Sequence, residues 1–187
     1  MQTLKLSSLA QAVAICVGAT LFCGNALAAT KGDKVAYDQT KSSAKATYDT
    51  DKKACDAMSG NAKDICVAEA KAKRVKTEAN AEASYKNTPK AREHAIHEIA
   101  DADYKVAKER CDDKAGNEKD VCIKEAKAAM TRTQADAKAT KKGTEARIDA
   151  SKDKRDADYK VAAEKCDALA GDPKAACMAD AKARFGK

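Results

Sequence analysis

The sequence predicts an all-α protein built as three tandem disulfide-stapled αα-hairpins, six helices in all, arranged as an antiparallel bundle or as an extended row of hairpins. Three observations predict it. Tyr48, Cys55 and Cys66 define a spacing that Tyr104, Cys111 and Cys122 repeat, as do Tyr159, Cys166 and Cys177, and self-similarity on a period of about 55 residues marks a repeat architecture. Helix-breaking pairs fall at even intervals: Gly60-Asn61, Thr88-Pro89, Gly116-Asn117, Gly143-Thr144 and Gly171-Asp172-Pro173 stand 27 or 28 residues apart. Between the breaks the chain is rich in Ala, Lys and Glu, all good helix formers.

The chain opens with Lys5, an apolar run from Leu9 to Phe22 and the small-residue sequence Ala26-Leu27-Ala28. That order predicts a signal peptide over 1–28, removed after export. Its apolar run is shorter than the ~20 residues a membrane-spanning helix needs, and no later segment approaches that length. The mature chain is expected to be soluble, without a transmembrane segment. Cys23 followed by Gly24 invites a lipidation reading, but Phe22 stands where a lipidation signal carries a small residue. Cys16 and Cys23 therefore leave with the leader.

Repeat 1 covers 29–87, repeat 2 covers 88–143 and repeat 3 covers 144–187. In each, a helix leads to a glycine, a second helix returns, and the next break follows. Glycine suits the left-handed end of a helix, Asn, Asp or Thr suits the cap of the next, and proline suits its first turn. Five helices of about 25 residues and a shorter last one are expected from this spacing.

The cysteines follow from the same geometry. Eleven residues on one unbroken helix span about 16 Å, whereas a disulfide tolerates a Cα separation of only about 4.4–6.8 Å. The chain must reverse between each pair, and Gly60, Gly116 and Gly171 lie midway. An even number of cysteines in an exported chain favours disulfides over metal or catalytic thiols. Of the 15 connectivities that six cysteines allow, the repeat selects Cys55–Cys66, Cys111–Cys122 and Cys166–Cys177. Each loop closure is worth roughly 3 kcal/mol, which matters because large apolar residues are scarce. Beyond the leader there is one Leu (Leu169), one Phe (Phe185) and no Trp. The stripe Tyr104, Ala107, Cys111 recurs as Tyr159, Ala162, Cys166 and, with Asp51 interrupting, as Tyr48 and Cys55; it is one face of an amphipathic helix, with tyrosine as a packing residue whose hydroxyl reaches water.

Charge is nearly balanced, with 36 Lys and Arg against 29 Asp and Glu. The net +7 becomes +6 once Lys5, the only charge in 1–28, is removed. Basic residues alternate with acids throughout, without the concentrated patch of a nucleic-acid binder. Glu69 with Lys73, Asp101 with Lys105, Asp120 with Lys124 and Asp156 with Lys160 are spaced for pairing within a helix. Asp56 and Lys63, Asp112 and Lys119, Asp167 and Lys174 recur around each bend and are expected to meet across it, at ~0–1 kcal/mol per exposed pair.

Little points to catalysis. The cysteines lack C-x-x-C spacing, and neither a phosphate-binding glycine loop nor a G-x-S-x-G elbow occurs. No cofactor is implied. His94 and His97 are the only histidines and the only candidate metal ligands. They lack the H-E-x-x-H order and a third ligand nearby, so the surface reading stands ahead of a metal site. The expectation is a protein that is not an enzyme.

Cys55-Asp-Ala-Met-Ser-Gly-Asn-Ala-Lys-Asp-Ile-Cys66 and Cys111-Asp-Asp-Lys-Ala-Gly-Asn-Glu-Lys-Asp-Val-Cys122, each running on into Glu-Ala-Lys-Ala, resemble exported Ala/Lys-rich helical repeat proteins of Gram-negative bacteria, often labelled cell-envelope TolA-like. The resemblance covers nearly the whole chain after the leader. It implies a periplasmic location and helical character, and carries over no functional residues. The expected role is structural or interaction-type, with an envelope protein or another periplasmic component as partner and no nucleic acid. The other class is a stress-related binding protein or chaperone-like holdase using its Ala and Tyr seams.

Overall fold

The computed structural model describes residues 32–187; the expected leader, with Cys16 and Cys23, lies outside them. Among the described residues there are five α-helices and no strand: α1 (Lys34–Ala54), α2 (Gly60–Lys86), α3 (Pro89–Cys111), α4 (Gly116–Cys166) and α5 (Gly171–Phe185), with a 3-10 turn (Cys55–Ala57) after α1. Helices pack on their sequence neighbours: α1 on α2, α2 on α3, α3 on α4 and α4 on α5. The result is a row, one helix thick, and not a bundle around a common core.

Alanine makes such a row possible. Among the described residues, those buried are alanines, Val106 and the three half-cystines Cys55, Cys111 and Cys166, and no polar or charged residue is buried as a whole. Small side chains let helix axes approach at the near end of the usual 8–10 Å, at the expense of apolar area. Stability is therefore shared between thin seams and the covalent staples.

The expected six helices are five, because the break at Gly143-Thr144 does not occur. α4 runs unbroken for 51 residues, about 76 Å at 1.5 Å per residue. The other four breaks each have something stronger than glycine. At Asn87-Thr88-Pro89 a proline cannot donate its backbone N–H into a continuing helix; Asn87 turns left-handed (φ 47°) and the Thr88 hydroxyl accepts from the Ala91 N–H at 3.1 Å. At the three tips a disulfide forces the reversal. Gly143 has neither, and a lone glycine costs a helix only about 1 kcal/mol.

The capping roles also differ from expectation. Gly60, Gly116 and Gly171 take positive φ (57°, 52° and 61°) but stand at the start of the following helix, not the end of the preceding one. Ser59, Ala115 and Ala170 occupy the N-cap positions without side-chain bonds. Asn61 is left free to bond elsewhere. Its amide donates to the Glu109 carbonyl (3.0 Å) and to Asp113 Oδ1 (2.7 Å), tying the start of α2 to the end of α3. Asp172 likewise lies inside the first turn of α5 and is not its cap.

Candidate functional site

The three tips are one structure repeated. In each, the Cα atoms of the bridged cysteines (Cys55–Cys66, Cys111–Cys122, Cys166–Cys177) lie 5.7 Å apart. Beyond the first cysteine, the N–H of Met58, Lys114 or Leu169 donates to the carbonyl of Cys55, Cys111 or Cys166 at 3.0 Å. Positive φ at the glycine then aims the chain back. The first half-cystine of each pair is buried and its partner half-buried. Across each bend the expected ion pair forms: Lys63 Nζ to Asp56 at 3.0 Å, Lys119 to Asp112 at 3.0 Å and Lys174 to Asp167 at 2.8 Å. Each carboxylate lies near a helix C-terminus, where the dipole disfavours it, and each lysine near an N-terminus. Pairing them offsets both unfavourable placements.

The four pairs expected within helices do not form; several of their members bridge helices. Glu69 accepts from Arg110 across α2 and α3, Lys73 pairs with Asp51 across α1 and α2 at 2.9 Å, Asp101 accepts from Gln134 across α3 and α4 at 2.8 Å, and Asp156 pairs with Lys187 at the end of α5. Spacing along one helix could not reveal these partners, which depend on the register of the neighbouring helix. Tyr37 and Tyr85 stack at 4.9 Å between the open ends of α1 and α2, and Gly32 N–H donates to the Tyr85 carbonyl at 2.7 Å. Tyr159 meets Phe185 edge-on at 6.3 Å near the end of the third hairpin.

His94 and His97 are not brought together as a pair of ligands. His94 Nδ1 lies 3.4 Å from Glu98 and within electrostatic reach of Glu82 on α2. His97 lies one helical turn beyond Glu93 on α3, and its Nε2 is buried without a hydrogen-bond partner. Among the described residues no three His, Cys, Asp or Glu side chains converge as a metal site. Glu93 instead bonds Lys141 at 2.7 Å across α3 and α4. That bond holds the Glu93 carboxyl below its usual range and raises the Lys141 ammonium.

Open grooves run between neighbouring helices. One of about 520 Å³ lies between α2 and α3, floored by Val67, Ala72, Val75 and Ala102 and rimmed by Lys71 and Lys105. Another, of about 430 Å³, lies between α1 and α2 and is lined by Thr40, Ser43, Thr47, Tyr48 and Arg74. The Arg74 guanidinium sits 5.6 Å from the Tyr48 ring centre. These side chains offer apolar contact and exposed charge. No helix among the described residues is long and apolar enough to cross a membrane. No family model, curated protein or solved structure matches the chain.

Proposed function

We propose that this chain is a non-enzymatic, exported structural or interaction protein of the bacterial cell envelope, working in the periplasm as a stapled helical scaffold that presents charged helix faces to an envelope partner. The observation that carries this reading is the one-helix-thick row closed by three local disulfides: every helix keeps at least one long face open, and each hairpin is held by a covalent bond that persists in an oxidising compartment. The resemblance of the Cys55–Cys66 and Cys111–Cys122 segments to exported TolA-like repeat proteins supports the same location.

The test is crosslinking in intact cells from a photoreactive residue placed at Ile148 or Lys152, both exposed on α4. A discrete crosslinked envelope component supports the scaffold reading. Indiscriminate capture of unfolded polypeptides, together with suppression of their aggregation in light scattering, contradicts it and identifies a holdase instead.

A further inference from the structure

α4 carries, along its bare side, the interface that α2 and α3 make with each other. α3 meets α2 through the face bearing Ala91, Ala95, Ala102 and Val106, all buried and opposite by helical spacing to Cys111, which bonds α4. Ala72 and Val75 of α2 floor the groove with Ala102, and Ala79, seven residues beyond Ala72, is buried on the same face. Two ion pairs flank this seam, Arg110 with Glu69 and Lys76 with Asp103 at 3.9 Å.

One repeat later these residues recur. Ala146, Ala150, Ala157 and Val161 stand where α3 has Ala91, Ala95, Ala102 and Val106. All four are exposed: Val106 is 9% accessible and Val161 56%. Ala128 and Ala135 likewise correspond to Ala72 and Ala79. The difference lies at the joint. Asn87-Thr88-Pro89 turns the chain back, whereas Gly143-Thr144-Glu145 has no proline and the helix continues. The two halves of the seam are thereby carried apart on one rigid helix.

They nevertheless lie on one side of it. At ~100° per residue, Cys122 and Lys141, which bind α3, and Tyr159 and Cys166, which bind α5, fall on the same side of α4. The opposite side carries Val121, Ala128, Ala135 and Ala139, which lead into Ala146 and its successors at steps of four or seven. Those steps are the spacing of a helix-pairing seam.

We propose that a second copy of the chain covers this seam, the two α4 helices lying antiparallel about a twofold axis beside Glu145. Each third hairpin would then occupy, on the other copy's second hairpin, the place that α3 holds on α2. Charge fixes the register. Glu125 and Arg132 occupy the repeat positions of Glu69 and Lys76, while Lys165 and Asp158 occupy those of Arg110 and Asp103. In the symmetric pair Glu125 meets Lys165 of the second copy and Arg132 meets its Asp158. Asp136 with Lys154 and Lys138 with Asp153 fall opposite one another in the same register. Glu125, Arg132, Asp158 and Lys165 are exposed, and none of them forms an ion pair within the described chain. A twofold axis makes every contact twice, so a modest seam acts at double strength. Within one chain the unbroken helix keeps hairpin 3 away from hairpin 2, which is why the occupant is a second copy.

The test is sedimentation of the oxidised, exported protein over a concentration series. A dimer in the micromolar range is expected. Ala135→Glu combined with Ala157→Glu places carboxylates in the seam and weakens association by about a hundredfold or more, with helical circular dichroism unchanged. Should that variant misfold, charge exchange serves: Glu125→Lys weakens the dimer several-fold, and adding Lys165→Glu restores it. A monomer at every concentration up to the millimolar range, extended or folded back at Gly143, overturns the proposal, as does a dimer indifferent to these substitutions.

Discussion

Gly143 and Gly116 are the same residue type in opposite backbone states, and replacing each by alanine should move stability in opposite directions. Gly143 sits inside α4 without positive φ, and a Cβ built there meets nothing within 4 Å. Gly143→Ala therefore removes the ~1 kcal/mol penalty of an exposed mid-helix glycine. For a chain of this size that corresponds to a rise in Tm of about 2–4 °C. Gly116 also has open space around its Cβ position, but its φ is +52°. Alanine there is strained by roughly 1–2 kcal/mol, offset in part by ~0.4–1 kcal/mol from the stiffer unfolded chain. Gly116→Ala is thus expected to destabilise, and Gly143→Ala to stabilise. Thermal unfolding followed by circular dichroism measures both. Hydrogen exchange over 140–150 adds a local readout, since the alanine should slow exchange there. If Gly143→Ala destabilises as Gly116→Ala does, the chain reverses at Gly143 and the continuous α4 is wrong.

Three further outcomes are expected. Reducing the disulfides removes roughly 3 kcal/mol per hairpin, a large share of the ~5–15 kcal/mol that holds a domain together; a melting curve indifferent to reductant would remove the staples from the stability account. A double-mutant cycle on Asp112 and Lys119 should show coupling of ~0–1 kcal/mol in the favourable sense, and a repulsive coupling would contradict the observed 3.0 Å pair. Acid should destabilise: Glu93, Glu82, Asp49 and Asp156 all have carboxyls held below their ordinary values by lysine partners, so the stability they contribute is present above 4.5 for Glu and 3.8 for Asp and disappears as pH falls through their lowered folded values. Melting temperature should accordingly be flat around neutrality and decline below those values. Glu93→Gln should decline less steeply, and a protein that gained stability on acidification would contradict the sign.

The tips are legible in the sequence because two constraints agree there: a cysteine spacing that no straight helix can bridge, and a glycine midway. The Asp–Lys pairs come with them, since a residue just before a reversal and another just after it are brought together by any tight turn. Gly143-Thr144 misleads for want of a second constraint. It has the spacing of a break but neither the proline of Thr88-Pro89 nor a disulfide, and propensity alone leaves glycine tolerable within a helix. The interhelical bonds of Glu69, Lys73, Asp101 and Asp156 are invisible for another reason. They depend on how far one helix slides along its neighbour, and alanine seams carry little pattern from which that register can be inferred. Asn61 shows the same limit: cap chemistry suggests one role, and the arrival of the α3 end at Glu109 and Asp113 supplies another.

Peptide mapping of the oxidised protein by mass spectrometry under conditions that block thiol exchange tests the central claim most directly. The account predicts three bridges and no others, Cys55 to Cys66, Cys111 to Cys122 and Cys166 to Cys177. A bridge joining cysteines of different hairpins or of different molecules would contradict it.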